Sequence, residues 1–179
     1  QFFYALGAIK NVGYEAISNI VKERETNGEY KNLSDFIKRV DPKDINKLQL
    51  EGLVRAGAFD NLNDNRQSIY NSIPNIILKS KNNFENKQAN QFDLFDDKLS
   101  NEENILDDIE DWNTDIRLTK EFETLGFYIS DHPLNQYKSI FDQYNIVSYD
   151  NFQNDENLLS SNIACTVLKT QEKKTQKGT

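Results

Sequence analysis

Residues 8–21 read AIKNVGYEAISNIV. A short run of apolar residues broken by Lys10-Asn11 reaches Gly13, and from there Ala16, Ile17, Ile20 and Val21 recur at the spacing of one helical face. The order is that of a tight turn feeding directly into a helix. Ile9 and Val12 are placed to anchor the turn on a core. Such a turn leaves the first amide groups of the helix without intrahelical partners, pointing the same way as the positive end of the helix dipole. An anion fits there. Glycine at 13 lets a phosphate approach the backbone closely, and Lys10 adds a mobile charge.

Totals set the limits within which this turn acts. The chain has 179 residues, a formal charge of −8 and a single cysteine. At 37% apolar it can bury a modest core. The acidity is local: residues 1–60 carry nine basic and nine acidic side chains, residues 61–90 four against two, residues 91–150 four against fifteen, and residues 151–179 four against three. A protein coating nucleic acid along its whole length is thereby excluded, whereas a local site is not. One cysteine, Cys165, allows no internal disulfide and suits a reducing, cytoplasmic compartment. No apolar run is long enough for a membrane span and no signal peptide is visible. Methionine is absent and the last residues, Lys177-Gly178-Thr179, read as an unfinished turn, so the expectation is an internal fragment of a longer protein.

Beyond the first helix, which Asn27-Gly28 stops, Ser34 is placed to cap a short helix carrying Phe36, Ile37 and Val40. Asn46 and Gln49 have the spacing of a capping box for a helix whose apolar face is Leu48, Leu50, Leu53 and Val54 and which Gly57 closes. A fourth helix is expected from Asp64 or Asn65 toward Leu78, kinked or broken at Pro74. Residues 79–90 are polar and asparagine-rich and predict a linker; the acidic run after position 95 predicts a solvated loop. Leu118, Phe122 and Leu125 predict a helix stopped by Gly126, and Ser130 or Asp131 opens another with Pro133 in its first turn and Leu134, Tyr137, Ile140 and Phe141 as its buried face. Ser161, Ile163, Cys165 and Val167 alternate as in a strand, with Cys165 read as a small buried side chain.

No catalytic constellation is present. One histidine, His132, and one cysteine cannot assemble a zinc site, and His132 in Asp131-His132-Pro133 reads as a local turn residue. Neither a P-loop nor a dinucleotide-binding glycine pattern occurs. The acids at 102–111 fall in adjacent pairs, the pattern of a solvated loop rather than a cation site. The sequence predicts no active site, no metal and no cofactor within the chain.

Two apolar residues bracketing a turn that ends in Gly13, with Ala16 one turn on, resemble the helix-hairpin-helix motif. The family form usually has glycine where this chain has Asn11, and asparagine tolerates the left-handed conformation better than most residues. Such a hairpin holds duplex DNA through its phosphates, without sequence preference. Further along, YALGAIKNVG, NLSDFIKRVD, INKLQLEGLVRAGAFD and LGFYISDHPLNQY occur in that order. Together they resemble the C-terminal part of the alpha subunit of bacterial DNA polymerase III.

That resemblance implies a mainly α fold: a tandem helix-hairpin-helix domain over 1–78, a flexible acidic linker over 79–115, a helical segment over 116–145 packing on the first domain, and over 146–179 the first strand of a truncated OB-fold β-barrel. The second hairpin is Arg55-Ala56-Gly57-Ala58-Phe59, and the DNA-binding residues are Ile9, Lys10, Asn11, Val12, Gly13, Arg55 and Gly57. Magnesium is implied for the intact polymerase, not for this chain, and further replisome subunits are implied as partners of missing regions. A different class of protein, a DNA repair nuclease or ligase using the same hairpins to position DNA, remains the alternative.

Gln91-Phe92-Asp93-Leu94-Phe95 stands between the polar stretch and the acidic one. Phe92, Leu94 and Phe95 held in solvent together mark a contact site, with Leu94 and Phe95 as anchors and the Gln91 amide fixing register. The pattern Gln-x-Asp-Leu-Phe is similar to the pentapeptide by which bacterial polymerases bind the sliding clamp.

Overall fold

The computed structural model describes residues 6–88, 105–155, 157 and 159–172. These divide into two compact units, with the boundary between Ile129 and Ser130.

In the first unit a 3₁₀ turn, Leu6–Ala8, leads through the hairpin into α1, Tyr14–Asn27, which Gly28 ends at φ 85°. Next comes α2, Leu33–Arg39; its cap is Asn32, whose side chain accepts from Asp35 N–H, and Ser34 is buried within the helix instead of capping it. The capping box at Asn46 and Gln49 opens α3, Lys47–Arg55, with both reciprocal bonds at 3.0 Å. Leu50, Leu53 and Val54 form its buried face, while Leu48 is exposed. Asn65 caps α4, Arg66–Asn71, and a break at Ser72 starts α5, Ile73–Gln88, with Pro74 in its first turn, where a missing N–H costs nothing.

Over residues 79–88 that last helix stands where a linker is expected. Ile73, Ile76 and Ser80 are buried, so α5 is held by packing of its first half, and Lys87 Nζ donates to the carbonyl of Lys38 in the last turn of α2 at 2.6 Å. Composition over 79–90 registers neither contact. The acidic stretch is likewise docked where it is described. Ile105 is buried in the core, Ser68 Oγ donates to the carbonyl of Asp107, Ser72 Oγ accepts from Asp107 N–H, and Asn65 Nδ2 donates to the carbonyl of Ile109. An average over many acids conceals the few apolar residues, Ile105, Leu106 and Trp112, that pack against the core.

The first unit closes with α6, Thr114–Leu125, capped by Asn113 and ended by Gly126 at φ 83°. Leu118 is buried on its inner face, and the helix packs against α3. The core joins Ile9, Val12, Ile17 and Ile20 of the hairpin and α1 to Leu33, Phe36 and Ile37 of α2, Leu50, Leu53 and Val54 of α3, and Ile69, Ile73 and Ile76 of α4 and α5.

Within the second unit a 3₁₀ turn, Pro133–Tyr137, runs into α7, Lys138–Gln143, and α8, Tyr149–Asn154, follows. The N-cap is His132, whose Nδ1 accepts from Leu134 N–H at 3.2 Å, in place of Ser130 or Asp131. Leu134 and Phe141 are half-buried and Tyr137 and Ile140 exposed, so the expected apolar face is not covered. Among the described residues of 146–179 there is no strand, only an isolated parallel bridge between Ile146 and Asn162, and Cys165 is exposed. Period-two alternation needs a neighbouring strand to complete its hydrogen bonds, and none is described beside Ile163, Cys165 and Val167. The helical segment expected over 116–145 is divided by the unit boundary: α6 belongs to the first unit, where it packs against α3. No described helix is long and apolar enough to cross a membrane.

Candidate nucleic-acid interface

The hairpin is held from below and open above. Ile9 and Val12 are 3% and 7% exposed, and Val12 N–H donates to the carbonyl of Ile9 to close the turn at 3.1 Å. Asn11 adopts φ 66°, the left-handed conformation that the turn requires and that asparagine accepts. Lys10 N–H donates to the carbonyl of Thr124 at 3.4 Å, which ties the turn to the end of α6. Gly13 is the N-cap of α1 with φ −74° and ψ 137° and gives no side-chain cap. The first backbone bond of the helix runs from Ile17 N–H to Gly13, so the amides before Ile17 have no acceptor within α1. Lys10, Asn11, Gly13 and Tyr14 are all exposed, Tyr14 to 81%.

Glycine 13 is therefore not demanded by its own backbone. A Cβ there meets only the Gln49 amide, at 3.4 Å. The glycine that the packing demands is Gly52, in the middle of α3, where a Cβ lies 2.9 Å from the carbonyl oxygen of Lys10 and 3.1 Å from Val12 Cγ2. Its missing side chain lets the turn rest directly on α3. The signal was present in the sequence as a glycine between Leu50 and Leu53 inside a helical pattern, which marks a close approach.

Two depressions flank the turn. One, of about 510 Å³, borders Gly13 and is lined by Glu15, Asn19, Asp41, Lys43 and Gln49 among others. The second, of about 330 Å³, brings Lys10 and Asn11 together with Glu51, Gly52, Arg55 and Glu123. Arg55, read from sequence as part of a second hairpin, thus shares a cleft with the first.

Gly57 does not. It ends α3 with φ 75°, with Ala58 N–H returning to the carbonyl of Leu53 and Gly57 N–H to that of Val54, the paired bonds of a Schellman stop. A Cβ on Gly57 falls 2.3 Å from Arg66 Nη2. The buried Arg66 guanidinium fills that corner, held by Asp60 at 2.6 Å and Glu121 at 2.8 Å. Burial works against its charge, but the hydrogen bonds to Asp60 and Glu121 outweigh this and keep its pKa above the ordinary guanidinium value. The start of α4 also holds an anion of its own: Gln67 N–H donates to Asp111 Oδ1 at 2.9 Å, and Arg117 pairs with Asp111 Oδ2 at 2.7 Å. Nothing at Gly57 in the sequence announces Arg66, Glu121 or Asp111, because all three arrive by tertiary contact.

The pentapeptide Gln91, Phe92, Asp93, Leu94 and Phe95 lies outside the described residues. Among the described residues no group of three or more His, Cys, Asp or Glu side chains is arranged to hold a metal ion.

The family model for the helix-hairpin-helix motif matches residues 1–69, which contain the turn, Gly52 and the corner at Gly57. Over 156 residues, 87% of the chain, the sequence is 40% identical to DNA polymerase III subunit alpha of Rickettsia bellii. This chain is homologous to part of the DNA polymerase III alpha subunit. The alpha subunit of Caulobacter vibrioides is 37% identical over 134 residues, 75% of the chain, and that of Borreliella burgdorferi 36% identical over 146 residues, 79% of the chain. The chain spans 13%, 12% and 13% of the lengths of these three alpha subunits.

Proposed function

We propose that the chain is a non-catalytic module of a replicative DNA polymerase that holds duplex DNA by its phosphates at the first hairpin and tethers the enzyme to the sliding clamp through Gln91–Phe95. The observation that carries the DNA reading is the open start of α1: exposed, without a side-chain cap at Gly13, and set beside Lys10. Backbone amides aimed at one point recognise a phosphate and cannot read a base, so binding is independent of sequence. The family model over residues 1–69 and the alpha-subunit homology support the same reading. The clamp reading rests on the residues of the pentapeptide. A weak grip on the duplex and a tether to a ring around it complement each other, because tethering raises the effective concentration at the primer end without tight DNA contact.

The test is the affinity of the chain for duplex DNA measured across a salt series. A falling straight line in the double logarithm of affinity against salt is expected, with equal affinity for unrelated sequences. Gly13→Val should weaken binding, because its branched side chain stands where a phosphate approaches the amides, and thermal melts separate this from the cost of valine at an N-cap position. Duplex affinity identical in the variant overturns the assignment.

A further inference from the structure

We propose that Arg55 and Lys10 grip a second phosphodiester of the same DNA in the cleft between the hairpin and α3. The proposal rests on the reading of the first hairpin as a duplex contact and adds a binding site to it.

Arginine charge in this protein is mostly committed to carboxylates. Arg39 lies 2.8 Å from Glu23 and 2.9 Å from Asp35, Arg66 lies 2.6 Å from Asp60 and 2.8 Å from Glu121, and Arg117 lies 2.7 Å from Asp111. Arg55 differs. The carboxylate it faces, Glu51, stands 4.0 Å away, beyond hydrogen-bond length, and also lies 3.9 Å from Lys47. Its buried Nε has no acceptor.

What orients Arg55 is a neutral side chain. Nη2 donates to the Tyr70 hydroxyl at 2.7 Å, and the guanidinium carbon lies 5.3 Å from the centre of the Tyr70 ring. Tyr70 is itself braced by an edge contact with Trp112 at 5.4 Å and by Lys120 Nζ at 5.1 Å. A guanidinium fixed by a hydroxyl and a ring has its orientation settled before an anion arrives.

Across the cleft, Lys10 approaches from the exposed turn. Glu51 and Glu123 line the same cleft and offset the two cations. A free phosphate dianion therefore gains little by entering. A phosphodiester carries a single charge and is delivered at high effective concentration once the neighbouring phosphate is held at α1, so the duplex is the ligand that this balance of charge admits.

The experiment is a fluorescence anisotropy titration of the whole chain with a labelled duplex over a salt series, for the wild type, Arg55→Gln, Arg55→Lys, Tyr70→Phe and Lys10→Gln, with thermal melts as a check of folding. Arg55→Gln and Lys10→Gln should each bind about tenfold more weakly at low salt and lower the salt slope by about one. Arg55→Lys should keep the slope and recover part of the affinity. Tyr70→Phe should weaken binding with the slope unchanged, since it frees the guanidinium without discharging it, an effect a purely structural tyrosine does not produce. Inorganic phosphate at millimolar concentration should not compete beyond its contribution to ionic strength. Folded Arg55→Gln protein with wild-type affinity and slope overturns the second contact; because Lys10 also stands beside the first phosphate, Arg55→Lys and Tyr70→Phe decide it should Arg55→Gln not fold, and wild-type affinity in both overturns it. Specific competition by inorganic phosphate assigns the cleft to the free ion and overturns it too. Loss of binding in Gly13→Val alone keeps the first-hairpin reading and discards only this one, whereas a wild type without salt-dependent binding discards both.

Discussion

Arg66 and Glu121, 55 residues apart in the chain, meet at 2.8 Å with the carboxylate fully buried. The second oxygen of Glu121 accepts from Ile129 N–H at 2.8 Å. One carboxylate thus ties the start of α4 to α6 and to the end of the first unit, and α6 in turn supports the hairpin through the carbonyl of Thr124.

Glu121→Gln should cost about 2 kcal/mol or more of stability, because it weakens the compensation of a buried guanidinium and replaces a charged acceptor by a neutral one. Asp60→Asn, at the 36% exposed partner of the same arginine, should cost clearly less. Urea denaturation of both variants checks the order; equal losses would show that burial does not govern this pair.

Gly52→Ala sets two effects against each other. Alanine in a helix interior is favoured over glycine by about 1 kcal/mol. At this position its Cβ meets the backbone oxygen of Lys10 at 2.9 Å, and neither backbone can yield cheaply. Overpacking of this kind costs about 1–3 kcal/mol, so a net loss of stability is expected together with weaker duplex binding as the turn is pushed off α3. A stabilised variant with unchanged DNA affinity would refute the claim that α3 carries the hairpin.

Acid should unfold the first unit partly through Glu23 and Asp35. The hydrogen bond from Arg39 holds the Glu23 carboxyl below its usual range. Asp35 is lowered as well: burial opposes this, but the Lys31 backbone N–H and Arg39 outweigh it. A carboxylate with a depressed folded pKa stabilises fully above its unfolded value, about 4, and that contribution is lost as pH falls through the folded value. Stability measured in urea from pH 6 downward should therefore decline below roughly pH 4, and Arg39→Gln should flatten that decline. An acid limb of the same slope in the variant would mean that other carboxylates set it.

For the tether, Leu94→Ala combined with Phe95→Ala should abolish binding to a bacterial sliding clamp and leave duplex affinity and its salt dependence untouched. Surface plasmon resonance with immobilised clamp reads the first quantity and the anisotropy titration the second. Simultaneous loss of both with the fold intact would contradict separate sites.

Local chemistry made much of the first unit legible. The periodic apolar residues after Gly13, the capping box at Asn46 and Gln49 and the stops at Gly28, Gly57 and Gly126 all act within a few residues of one another, and the structure places each of them where the sequence does. Ile9 and Val12 belong to the same class, since a turn whose apolar residues point inward must present its polar ones outward.

What depended on tertiary structure was every feature whose partner lies far along the chain. Residues 79–88 are helical because Ile73, Ile76 and Ser80 are buried and Lys87 reaches Lys38. Ile105 leaves the acidic run to complete a core it does not adjoin in sequence. Arg66 closes the corner at Gly57, and Arg55 comes to line a cleft with Lys10 and Asn11 of the first hairpin. By itself the sequence determined the helix starts at Gly13 and Asn46, the stops at Gly28, Gly57 and Gly126 and which turn leaves its amides open, because those are short-range hydrogen bonds and apolar spacings. Only the tertiary structure decided which charges are neutralised and which remain available, because a carboxylate's neighbour in space sets that balance, and no local pattern names the neighbour.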